Sequence, residues 1–177
     1  MTIEKQDLVN WGWENKDLSS IVDERKVHSL INHVERELSM KLPDEYRDFI
    51  FLTDDQGPWV QDKKKRYLLA KYNHATVILM MRTFFSTEGI IDYTKLLQES
   101  IYDHRTLLPN GLIVIANDCD DDADAYLIYD VREDSATYQH IFHWRYYVDN
   151  LVVGDGLGFV ARSLKEFLHM PTSEDKL

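Results

Sequence analysis

The run Asn117-Asp118-Cys119-Asp120-Asp121-Asp122-Ala123-Asp124 concentrates the side chains best suited to hold a cation. Asp118, Asp120, Asp122 and Asp124 alternate, as carboxylates do along the first half of a calcium-binding loop. The remainder of that pattern fails. A loop starting at Asp118 requires glycine at its sixth place and glutamate at its twelfth, where the chain has Ala123 and Tyr129. Starting at Asp120 puts Ala125 and Val131 there instead. Three readings are therefore open: an incomplete calcium site, a solvated hairpin tip, or an acidic patch that docks on a protein. From Asp118 to Asp134, eight acidic residues face Arg132 alone. Their mutual repulsion is screened by salt and would be relieved by a cationic partner surface.

Other chemistry is poorly supported. Cys119 is the chain's one cysteine, with no sequence motif supplying a base and with acidic neighbours that disfavour the thiolate. A single cysteine excludes an intramolecular disulfide and thiolate-based structural zinc, and implies a reducing compartment. His140 and His143 are three apart in a strand-like run, so their rings point to opposite faces, and His28 and His33 do not share a helical face well. Gly154, Gly156 and Gly158 lack the Lys-Ser/Thr of a phosphate loop, so a flexible loop is expected there. A small hydrolase that uses the Asp cluster to hold a divalent metal is a competing reading.

The elements that must position these residues can be read from periodicity. The chain has 177 residues, 44% of them hydrophobic, enough for one domain with its own core. Between Asp23 and Lys41, Val27, Leu30, Ile31, Val34 and Leu38 form one helical stripe. Pro43 opens a second helix through Tyr46, Phe49 and Ile50, ending near Leu52 at the turn cluster Thr53 to Pro58. Lys63 to Arg66 reads as a solvated loop or hairpin and Thr76 to Phe85 as a buried strand. Ile90 to Tyr102 reads as a helix with Ile91, Leu97 and Ile101 inward. Leu112 to Ala116 and Ala125 to Val131 read as a hairpin with a charged tip, and His140 to Val148 as a further strand. Ser163 to Glu166 has capping-box spacing before a final helix, and the tail after Met170 is expected to fray. Trp11, Trp13 and Trp59 lie outside the periodic segments, as lids on the core in preference to exposed anchors. The resulting expectation is an α+β fold: a single domain with a mostly antiparallel mixed sheet and packed helices.

Charge narrows the partners. The 20 basic and 31 acidic residues leave a net charge of −11, which repels phosphate backbones and anionic lipid and favours a basic partner. No stretch approaches the roughly 20 apolar residues of a membrane span, and the first residues carry Glu4, Asp7 and Glu14 with no apolar signal region. A cytoplasmic protein is expected, with neither nucleic acid nor membrane as a direct partner.

In order, LPDEYRDFIFLTDDQG, LLPNGLIVIANDCDDDADAYLIYDV, HIFHWRYYVD and FVARSLKEFL make the chain resemble the SUKH superfamily of Smi/Knr-type proteins. The resemblance divides the chain into an N-terminal extension (1–20), a SUKH-like domain (21–170) and a polar tail (171–177). The hairpin turn departs from the family pattern, with Asp121, Asp122 and Ala123 before Asp124 where glycines are common. What the resemblance implies is an α+β fold without catalytic residues or cofactor. For most bacterial members it implies immunity: binding and neutralising a cognate toxin domain, often a nuclease or deaminase and hence basic. Within that role, Asp54, Asp55, Asp120, Asp121, Asp122 and Asp124 would offer charge and Trp59 an aromatic anchor. For fungal members the resemblance implies instead an intracellular scaffold or regulatory module.

Overall fold

The computed structural model describes residues 2–14, 16, 23–99, 106–119 and 125–177. Helix α1 spans Glu24–Glu37, with the Asp23 side chain accepting from the Lys26 amide to cap its exposed N–H groups. Its stripe of Val27, Ile31, Val34 and Leu38 is buried as the spacing requires. Helix α2 spans Asp44–Thr53 and turns Tyr46, Phe49 and Ile50 inward. It stops because Asp54 and Asp55 both adopt left-handed backbone angles, followed by Gly57 at φ +58°. A side chain at Gly57 would collide with the Phe84 carbonyl, 2.6 Å from the position of its Cβ. Helix α3, Thr87–Gln98, begins three residues before the expected start and buries Ile91 and Leu97; the expected inward Ile101 lies outside the described residues. The short α4, Leu164–Leu168, has the anticipated Ser163 cap, its oxygen accepting from the Glu166 amide.

Eight strands are present among the described residues: β1 Trp11–Gly12, β2 Trp59–Val60, β3 Tyr67–Lys71, β4 Thr76–Phe84, β5 Leu112–Asp118, β6 Ala125–Asp130, β7 Ile141–Arg145 and β8 Leu157–Ala161. Every pairing between them is antiparallel. The order β4-β3-β8-β7-β6-β5 is closed by a further β4–β5 pairing, so six strands form a barrel-like ring, with β2 and β1 added along β4. The fold is α+β in one domain. The main core lies on one face of this ring, beneath α1, α2 and α4, and includes Tyr46, Phe84, Leu127, Tyr129 and Phe167. A second cluster, with Leu97, Val114, Ile128, Phe142 and Trp144, lies on the other face. Burial on both faces accounts for the near-continuous apolar runs of β5, β6 and β7.

Three expectations require correction. The glycine-containing stretch expected to be a flexible loop supplies β8, a central strand between β3 and β7. Gly158 weakens its strand signal, yet a side chain there would have to displace the Tyr72 ring, which lies 2.4 Å from the position of its Cβ. Trp13 packs partly buried against the core as a lid would, but Trp11 is part of the core itself: it is wholly buried, 5.0 Å from the Phe84 ring, and its Nε1 donates to the Leu168 carbonyl at 2.9 Å. Ile3 and Leu8 join the same core, and buried Asp7 meets Lys165 at 3.2 Å and His169 at 2.9 Å. The tail after Met170 is docked rather than frayed, because Thr172 exchanges two backbone hydrogen bonds of 3.0 Å with Tyr67. Strand β3, which carries Tyr67, was hidden beside the basic run.

Candidate functional site

Of the seven residues expected to meet a partner, Asp120, Asp121, Asp122 and Asp124 lie outside the described residues. Asn117 of β5 pairs with Tyr126 of β6, so the strand ends that flank the acidic run lie together at one end of that hairpin. The other three residues lie elsewhere. Asp54, partly exposed at the end of α2, faces Lys26 across 3.8 Å. Asp55 turns its carboxylate to the start of α3, accepting from the Thr87 amide at 2.8 Å and the Thr87 hydroxyl at 2.7 Å. Burial pushes its carboxyl above the ordinary value, against the pull of those bonds. Trp59 is 37% exposed on β2, opposite Thr83 of β4, with one edge of its ring against Gly12.

Among the described acidic residues between Asp118 and Asp134, Asp118 and Asp130 belong to the interior. Asp130 ends β6 and is fully buried. Its carboxylate accepts from Arg132 Nη2 at 2.7 Å, Thr137 Oγ1 at 2.7 Å and Ser135 Oγ at 2.9 Å. Burial raises its carboxyl, but these bonds outweigh it and hold it below the ordinary range. Asp118 is buried at the end of β5, where Oδ1 accepts from the Met80 amide at 2.9 Å and Oδ2 lies 3.2 Å from His143 Nε2. The other nitrogen of His143 is 2.8 Å from the Tyr72 hydroxyl. Asp118, His143 and Tyr72 therefore form one polar chain across β5, β7 and the end of β3.

The sequence reading treated Asp118 as surface charge and gave His143 no task. The signal was present: both interrupt apolar strands, IVIAND and IFHW, at inward-facing positions. Tyr72 lies outside any strand, so its place in the chain of contacts follows from the three-dimensional approach of β3 to β8. His143 Nδ1 is satisfied by Tyr72, whereas His143 Nε2, though 3.2 Å from Asp118 Oδ2, makes no aligned hydrogen bond, and with His143 wholly covered the chain offers no route to a substrate.

No cluster of His, Cys, Asp and Glu among the described residues is arranged to hold a metal ion. Cys119 is half-buried and its thiol is pushed up by burial, the direction opposite to nucleophilic activation. A depression of about 400 Å³ beside the end of α1 is lined in part by Glu35, Arg36 and Lys41. Its carboxylate is occupied: Glu35 accepts from Lys41, the Leu42 amide and Arg47.

Residues 28–170 match the SMI1 / KNR4 family (SUKH-1). The chain belongs to this family. Neither a curated protein nor a solved structure matches it. The SUKH-1 match begins within α1, so Ile3, Leu8 and Trp11 precede it in sequence while packing into the same core. The family residues of the LPDEY segment have an interior role: Glu45 accepts from Tyr129 Oη at 2.7 Å and from the Leu164 amide at 2.8 Å, tying α2 to β6 and α4. No helix among the described residues is long and apolar enough to cross a membrane.

Proposed function

We propose that this SUKH-1 chain is an immunity protein that acts by binding, not by catalysis, and neutralises a cognate toxin domain in the cytoplasm. The observation that carries this reading is the acidic run that links β5 to β6 in sequence, in a chain of net charge −11. A toxin that acts on nucleic acid carries basic surface, and an opposed acidic surface speeds its encounter and favours it over other partners. Asp120, Asp121, Asp122 and Asp124 supply the steering charge, with Asp54, Asp55 and Trp59 as further contact residues. Asp55 has a second task at the start of α3, so its substitution is a poor test of contact.

The test is affinity capture from the native organism, with the protein encoded by the adjacent gene included, followed by titration of the recovered partner at two salt concentrations. A tight complex that weakens with salt supports immunity. Recovery of only endogenous signalling or structural proteins would favour a scaffold role. Reversing Asp120, Asp121, Asp122 and Asp124 to lysine is expected to slow association about tenfold or more and flatten its salt dependence, with thermal stability retained. An unchanged association rate would remove this patch from the mechanism.

A further inference from the structure

Helix α3 carries a second feature that faces solvent. Its buried side holds Ile90, Ile91, Thr94 and Leu97, while Glu88, Asp92, Leu96 and Glu99 recur at intervals of four, four and three along the opposite side and into its C-cap. Tyr93 borders this line. Leu96 is 55% exposed and Tyr93 38%, large apolar surfaces on a helix otherwise packed against β5. Among the described residues no cation pairs with Glu88, Asp92 or Glu99. The helix's own Lys95 is turned away to Glu37 of α1, at 2.6 Å.

Tyr93 is also held in place. Its ring stacks on Phe85 with centroids 4.4 Å apart and planes 7° from parallel, and lies 6.0 Å from the Tyr126 ring. An aromatic side chain already fixed in one orientation loses little entropy on binding, which is what makes tyrosine an effective interface anchor. Tyr126 opposes Asn117, so this anchor lies beside the end of the hairpin whose strands the acidic run links in sequence.

We infer that the outer face of α3 is the contact surface for a basic protein partner, with Tyr93 and Leu96 as the apolar centre and Glu88, Asp92 and Glu99 as the charged rim. This follows the usual interface pattern of a dry centre ringed by polar groups, and the rim's unpaired carboxylates complement a cationic surface. The inference rests on the binding reading above and assigns its main contact area to α3 instead of the Asp54–Trp59 region.

The probe is the C-terminal domain of the protein encoded by the adjacent gene, titrated against the full chain. Tyr93→Ala with Leu96→Ala is expected to raise Kd about thirtyfold or more, mainly through faster dissociation. Asp92→Lys with Glu99→Lys removes no packing and should slow association. Val9→Ala, at another exposed apolar position, should leave binding unchanged. If the wild-type chain binds and both α3 pairs bind as tightly, the α3 surface is wrong while immunity stands. If the wild-type chain does not bind this domain, the immunity reading fails and the inference built on it fails too.

Discussion

Gly158 and Tyr72 show how one residue's absence of a side chain positions another. Tyr72 reaches His143 across β8, over the one strand position with no Cβ to block its ring. Gly158→Ala is therefore expected to displace Tyr72 and cost about 1–3 kcal/mol, measured by denaturant unfolding. In a Tyr72→Ala background the same substitution meets no ring, so its additional cost should fall to a fraction of that. Additive costs in the double-substitution cycle would show that the contact does not constrain β8. Asp118 belongs to the same chain of contacts, which is why a residue counted by sequence among surface acids is removed from any docking patch.

At the scale of elements, the N-terminal segment determines how α4 is held. Trp11 of β1 packs between Phe84 and Phe167, and its indole N–H satisfies the Leu168 carbonyl at the end of α4. Trp11→Ala is expected to destabilise the fold by about 3–5 kcal/mol, through lost burial and an empty space that the surrounding rings cannot fill. A thermal shift close to zero would show that α4 docks without it. The acidic turn after α2 works similarly between elements: Asp55, just past the end of α2, accepts from the Thr87 amide and hydroxyl and so adds to the Ser86 cap in joining that turn to the start of α3.

For the whole molecule, acid stability follows from carboxylates whose environments differ. Burial raises the Glu35 and Asp7 carboxyls, but hydrogen bonds from Lys41, the Leu42 amide and Arg47 at Glu35, and from His169, the Glu4 amide and Lys165 at Asp7, more than reverse it. Asp130 is lowered in the same way. A carboxyl lowered in the folded state stabilises it above the ordinary values of 4.5 for Glu and 3.8 for Asp, and that contribution disappears as pH falls through the folded values. Asp55, raised by burial, contributes oppositely: its share is present at low pH and is lost as pH rises. Among the described residues these three lowered carboxyls, with Glu37 and Asp62 lowered at the surface, outnumber the raised Asp55 and imply a net loss of stability on acidification below about pH 4. Urea unfolding between pH 7 and pH 3 checks the sign, and equal midpoints would contradict it.

Local signals in the sequence sufficed for helices α1 and α2, the Ser163 cap of α4, the β5–β6 hairpin and the acidic balance, because each rests on spacing or composition within a few residues. They sufficed for the family as well, since its motifs follow one another in order. Closure of the six-strand ring did not follow from them, because β4–β5 and β3–β8 pairings depend on chain segments far apart. Strand β8 carries a glycine, Gly158, whose fitness comes from its neighbours in space, and Trp11 lies outside the family match although it fills the core. The exposed acids and apolar residues of α3 could be counted in sequence, but which side of the helix faced solvent was decided by packing against β5. The direction of a side chain, inward at Asp118 and outward at Leu96, is set by the surfaces that the whole chain brings together.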